Sequence, residues 1–284
     1  MGNVFKTTLL LTAMTLLLMT VGGALGHRGG MMLALVFAAI MNLGAYFFSD
    51  KIALASSHAQ PVSREELPRL YEIVERLCGK ANLPMPRLYI IPSESPNAFA
   101  TGRNPRHAAV AVTAGALSLL SDEELEGVLG HELAHVSHRD ILISSIAATM
   151  AGAITMLARM AYFAEIFGGG GGRNSDRDDG GPLVAIAMMI LAPIAAMMVQ
   201  MAVSRSREYA ADATGAQFAG NPYGLANALR KLEGWSQRIP MQVSPSTAHM
   251  YIVHPAIGQS FGNLFSTHPP TAERIARLTG MRME

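Results

Sequence analysis

The sequence predicts an α+β integral membrane protein with four transmembrane helices and one folded domain outside the bilayer. Three observations carry that prediction. Half of the 284 residues are hydrophobic, only 15% are charged and mean hydropathy is positive at +0.26, a balance unlike that of a fully soluble domain. The apolar residues gather in four blocks, whereas residues 51–140 and 204–284 hold most of the charge. Those two stretches mix strand-like and helix-like patterns, so they read as one α+β domain interrupted by a pair of membrane helices.

Residues 1–50 form the first expected unit, a transmembrane hairpin. "TTLLLTAMTLLLMTVGGAL" (Thr7–Leu25) and "MMLALVFAAIMNLGAYFF" (Met31–Phe48) each hold about the 20 apolar or small residues that cross a bilayer, joined by "GHRGG". A cleaved signal peptide is the rival reading. The long apolar core, the missing small-x-small site and the second block close behind argue against it.

Residues 51–140 form the second unit. "EELPRLYEIVERLCGKA" reads as an amphipathic helix with Cys78 as a small buried residue. "LYIIPSESPNAFATG" and "HAAVAVTAGAL" read as strands, rich in β-branched or aromatic residues with turn signals between them. Ser121 and Glu124 then make a capping box that opens a helix through His131 and His135, with Leu125, Val128, Leu129, Leu133 and Val136 as its packing face.

Residues 141–203 form the second membrane pair. "ILISSIAATMAGAITMLARMAYFAEIF" (Ile141–Phe167) follows the histidine helix directly. The flexible, Gly-rich "GGGGGRNSDRDDGG" (Gly168–Gly181) links it to "PLVAIAMMILAPIAAMMVQMAV" (Pro182–Val203), where Pro193 is tolerated with a kink. Arg159 and Glu165 read as residues reaching the outer interface. Lys6, Lys51, Arg64, Arg139, Arg205 and Arg207 lie opposite the Gly-rich loop, which places both termini and both folded portions in the cytoplasm; Arg28 dissents mildly. A net charge of +1 is too balanced to suggest a nucleic-acid partner, and a single cysteine excludes an internal disulfide framework.

The chemistry lies in "GHELAHVSHRD" (Gly130–Asp140). His131 and His135 are four apart, so a helix puts both imidazoles on one face, at metal-ligand spacing. Glu132 sits where a carboxylate reaches a metal-bound water rather than the metal. The metzincin pattern would require Gly at 138 and His at 141, and the chain has His138 and Ile141. The third ligand is sought instead in "SRSREYAADATGAQFAG": on a second helix, in residues 204–284, Glu208 can ligate and Asp212, four on, can hydrogen-bond the far nitrogen of a ligating histidine. A solvated helix face with Arg205 and Arg207 nearby is the competing reading of that pair.

Taken with "SPNAFATG" (Ser95–Gly102), "HELAH", "SREYAAD" and "STHPPTAERI", the whole chain resembles the HtpX family of bacterial membrane-bound zinc endopeptidases, relatives of the type II CAAX prenyl endopeptidases. The resemblance implies a cytoplasmic gluzincin-like zinc peptidase domain in the plasma membrane, with one Zn2+ on His131, His135 and Glu208 and with Glu132 as general base. It implies substrates among unfolded or damaged membrane proteins, a role in stress response, and partnership with the membrane AAA protease FtsH. It also suggests that Asn97, Ala98 and Phe99 lie beside the substrate on an edge strand, and that His268 donates to the oxyanion, with Arg274 close by. Asn97 as a turn residue after Pro96, and His268 as a turn residue before a helix capped by Thr271, are the competing readings. His249 and His254 fall in "STAHMYIVHPAIG", a flap or a cleft wall, with nothing forcing a ligand role. A non-catalytic zinc scaffold or sensor and a CAAX-type prenyl endopeptidase are the alternative functions. Intact Glu132 argues against the first, and the short chain with four spans against the second.

Overall fold

The computed structural model describes residues 3–168, 204–236, 238, 247–253 and 269–280. The helical run α1 (Asn3–Ser56) folds back on itself: Asn42 Nδ2 donates to Leu11 O at 3.3 Å and to Thr15 Oγ1 at 2.9 Å. On a straight helix those residues would stand roughly 40–46 Å apart. The reversal lies at His27, whose φ of +52° breaks the right-handed helix. Leu10 and Met14 on the first arm and Ala45 on the second pack with Ile143, Ile146 and Met150 of α5 (Ile141–Gly168).

Among the described residues, one helix, His27–Ser56, is long and apolar enough to cross a membrane; Phe5–Thr20 and Ile141–Ile154 are shorter apolar helices. Leu33 is 75% exposed and Ile40 64%. A soluble core helix would bury such residues, so this surface matches a lipid environment.

The folded domain is built on a four-stranded sheet: β1 (Gln60–Pro61), β2 (Arg87–Ile91), β3 (Ala98–Gly102) and β4 (Ala108–Thr113), in the order β1-β2-β4-β3. β2 and β4 are parallel, and the outer pairs are antiparallel. Every residue of β4 is buried because both faces of the sheet are covered. Ala108, Val110 and Val112 pack toward α2 (Pro68–Ala81) and α4 (Asp122–Ser137); Ala109 and Ala111 face Leu54 of α1 and Ala148 of α5. The sheet thus lies between α2 and α4 on one side and the roots of the apolar helices on the other.

α2 starts at Pro68 rather than at Glu65, because Ser63 and Glu66 close a turn on each other and Pro68 suits a first helical turn. Leu70, Ile73, Val74, Leu77 and Cys78 form its buried face, and Asn82 ends it in the left-handed conformation. After the short α3 (Ala114–Leu119) and α4, the chain turns a corner before α5, so the histidine helix does not run on into it. Beyond the undescribed stretch, α6 (Arg205–Ala219) and α7 (Pro222–Ser236) pack on α4, and α8 (Thr271–Thr279) closes the domain. Thr271 is not the cap of α8: Pro270 occupies that position, in extended backbone, and no side chain caps the helix. The segment Pro182–Val203, His254 and His268 fall outside the described residues, as do the side chains of Arg159 and Glu165.

Candidate active site

The site starts from the α4 cap. Ser121 Oγ accepts from Glu124 N at 3.3 Å, and Glu124 Oε2 accepts from Ser121 N at 2.9 Å, which satisfies two donors of the first turn reciprocally. From there α4 runs through the core, burying Leu125, Val128, Leu129 and Leu133. One turn apart on the same side, His131 and His135 bring their Nε2 atoms within 3.1 Å.

α6 supplies the third group. Gly130 and Gly215 lie back to back where α4 and α6 cross; a Cβ on Gly130 would strike Gly215 O, and one on Gly215 would lie 2.6 Å from His131 N. Only two glycines allow so close an approach, which brings Glu208 Oε2 within 3.8 Å of His131 Nε2 and Oε1 within 3.5 Å of His135 Nε2. Donors 2.0–2.1 Å from a tetrahedral zinc stand roughly 3.3 Å from one another. The observed 3.1, 3.5 and 3.8 Å bracket that value, so the three residues fit such an ion.

The far nitrogens complete the argument. His131 Nδ1 lies 2.9 Å from Asp212 Oδ1, and His135 Nδ1 lies 3.1 Å from Asp140 Oδ2. Carboxylates on both Nδ1 atoms hold the hydrogens there, which leaves both Nε2 atoms with lone pairs directed at each other and at a carboxylate. Three converging acceptors repel one another unless a cation lies between them.

Arg274, 2% exposed, donates from Nε and Nη2 to Asp212 Oδ2 and Oδ1 at 2.9 and 2.7 Å. Burial alone would raise the Asp212 pKa, but the Arg274 charge and its hydrogen bonds, with that of His131, hold it at about 2. Burial pushes His131 down to about 4. Glu132 is 2% exposed; burial first, then the neighbouring Glu208 charge, pushes it up to about 8, against the charge of His135 and a backbone hydrogen bond from Ala100.

Asn97, Ala98 and Phe99 are buried, and a strap of chain, Thr247–Val253, borders them. Ile252 N donates to Ala98 O at 3.1 Å, and Asn97 Nδ2 donates to Val253 O at 2.8 Å. Phe99 points to the opposite face of the sheet and stacks edge-on with Tyr251, 5.1 Å between ring centres. Arg274 Nη1 donates to Ile252 O at 2.9 Å, and His249 Nε2 lies 3.3 Å from Ser144 O. His131, Glu132, His135, Glu208, Arg207 and Ile252 are among the residues around a cavity of ≈ 30 Å³, room for about a water or two.

The structure therefore brings together the residues expected at the centre, His131, His135 and Glu208, with Asp212 behind His131 as expected, and adds Asp140 behind His135, which sequence reasoning missed. Asp140 lies past the end of α4 and matches no ligand spacing; nothing in the chain's periodicity marks it. Arg274 was legible only through the family pattern. His138 is the C-terminal cap of α4, with Nε2 3.2 Å from Thr214 Oγ1.

Comparison with known proteins identifies the family of the chain. The family model described as "Peptidase family M48" matches residues 64–282. A protein named "Protease HtpX homolog" from Desulforapulum autotrophicum is 59% identical over 279 residues, covering 98% of this chain and 90% of that one. Proteins of the same name from Syntrophobacter fumaroxidans and Thermococcus sibiricus are 56% and 52% identical, covering 99% and 98% of this chain and 100% and 96% of theirs. The crystal structure of S. mikatae Ste24p has a similar fold, with a TM-score of 0.52 and 20% identity; the match spans 97% of this chain and 65% of that one. The chain is a metallopeptidase and belongs to peptidase family M48.

Proposed function

We propose that this protein is a zinc-dependent endopeptidase of the HExxH gluzincin type that cleaves misfolded or damaged membrane proteins in a bacterial plasma membrane. The observation that carries the reading is the convergence of His131 Nε2, His135 Nε2 and Glu208 on one point, with Glu132 buried alongside. When bound, zinc supplies Lewis acidity, acidifying a water and polarising a carbonyl. Glu132 takes the proton of the attacking water and passes it to the leaving amine. Burial of the Glu132 carboxyl favours its protonated form and so strengthens its hold on that proton. The outer edge of β3, around Ala98 and Ala100, is where an extended substrate would pair, and His268 is assigned the oxyanion by family pattern.

Four membrane helices fit the topology. α4 and α6 touch at Gly130 and Gly215, so the chain between them starts and ends on the same side of a bilayer, which requires an even number of crossings. Two crossings within residues 141–203, after the folded-back α1, would make four, and the basic residues at Lys51, Arg64 and Arg205 support a cytoplasmic site. Quality control beside FtsH follows from the family resemblance.

Hydrolysis of casein by detergent-purified, zinc-loaded protein, beside Glu132→Gln with its zinc content measured, tests the reading. Cleavage by the parent and a loss of roughly 10²–10⁴-fold in the zinc-bound variant is the expected result. Equal turnover by both would remove Glu132 from the mechanism.

A further inference from the structure

The corner between α4 and α5 is built in an unusual way. Arg139, not a glycine, stands at φ +59°, in the left-handed region. That conformation turns the chain so that Asp140 N donates to His135 O at 2.9 Å and the Asp140 carboxylate comes back under the His135 ring, 3.1 Å from Nδ1. Asp140 is 4% exposed, and a buried carboxylate needs charge compensation. Arg207, beside the ligand Glu208, lies with Nη1 3.8 Å from Asp140 Oδ1, and His138 Nδ1 lies at 4.0 Å from Oδ2.

The arrangement repeats that of the other ligand. His131 is backed by Asp212, which Arg274 holds; His135 is backed by Asp140, which Arg207 faces. The two backings come from different places, one from α6 and α8, the other from the corner leading into α5 and from the start of α6.

We propose that Asp140 is a positioning residue of the metal centre: it keeps the hydrogen of His135 on Nδ1, aims Nε2 at the ion, and takes Arg207 as its counter-charge. The inference rests on the reading of His131, His135 and Glu208 as metal ligands. It adds that the centre is anchored to the residue immediately before α5, so the orientation of His135 depends on the corner from which that apolar helix departs. The positive φ at Arg139 is the local cost of placing the carboxylate there.

The test uses full-length, detergent-purified protein and the variants Asp140→Asn, Asp140→Glu and Arg207→Lys. Zinc affinity is read by competition with a chromogenic chelator, ligand geometry by the visible absorption of the cobalt-substituted protein, and catalysis by kcat and KM on casein. Asp140→Asn is expected to weaken zinc 10–100-fold, to shift the cobalt spectrum and to lower kcat more than KM. Asp140→Glu should restore part of the affinity, and Arg207→Lys should cost less than Asp140→Asn. Should Asp140→Asn fail to fold, Arg207→Lys still reports, through a shifted cobalt spectrum. Zinc affinity and cobalt spectrum equal to the parent's in a folded Asp140→Asn protein would overturn the proposal. Failure of the parent to bind either ion would overturn the metal-ligand reading, and the proposal with it.

Discussion

At the scale of the residue, Arg274 does the most with the least exposure. Its guanidinium holds both Asp212 oxygens and the Ile252 carbonyl, so one side chain joins the support of a metal ligand to the strap over the cavity. Arg274→Met leaves the Asp212 charge buried without its partner, and removing one half of such a pair costs about 3–5 kcal/mol. Denaturant unfolding of the two proteins measures it; a difference below about 1 kcal/mol would show that Asp212 finds another partner. The pH dependence has a definite sign. Asp212 is held at about 2, below its ordinary 3.8, so its contribution is present above pH 3.8 and lost as pH falls toward 2. Arg274→Met should remove that loss from the acid limb of the stability curve.

At the scale of the element, the crossing of α4 and α6 decides whether three ligands meet. Gly215→Ala places a Cβ against the backbone of α4 and must push α6 away, with a stability cost of about 1–3 kcal/mol and loss of Glu208 from the ligand set. The control is Gly234→Ala in α7, where a Cβ meets nothing within 4 Å; there stability should hold or rise by about 0.5–1 kcal/mol. Zinc content and thermal unfolding of the two variants separate the outcomes, and a zinc-replete Gly215→Ala protein would contradict the crossing argument. The strap is the second element with consequences, because Ile252 already bonds the edge of β3 that a substrate needs. Tyr251 Oη donates to Ser57 Oγ at 3.1 Å. Tyr251→Phe loosens the strap by about one hydrogen bond, so KM is expected to fall roughly 2–10-fold with kcat kept. An unchanged KM would mean that substrate enters without moving the strap.

At the scale of the whole molecule, the sheet separates two chemistries. One face packs on α2 and α4, where the charges of the metal centre are paired and buried; the other meets the roots of α1 and α5. Beyond those roots, apolar side chains such as Leu33, Ile40 and Leu43 are exposed. The topology proposed from this division predicts opposite accessibility for two single-cysteine variants in a Cys78→Ser background. A cysteine at Ser175, in the Gly-rich loop, should react with an impermeant maleimide added outside intact spheroplasts, and one at Arg238 only after lysis. Labelling of both from outside would reverse or break the orientation.

Much of the site was legible in the chain because its spacing rules are local. A helical period puts His131 and His135 on one face, the capping box starts that helix at the right residue, and Glu208 and Asp212 share a face for the same reason. Apolar block lengths likewise announce a membrane protein, since bilayer thickness sets them. Tertiary structure alone decided that Gly130 and Gly215 would touch, that Asp140 would turn back under His135, and that Ile252 would lie on β3. Each of these joins residues through a close crossing, a left-handed corner or a strand edge, and none of those leaves a period in the sequence. What the residues can do chemically follows from local pattern; what holds them at bonding distance follows from packing.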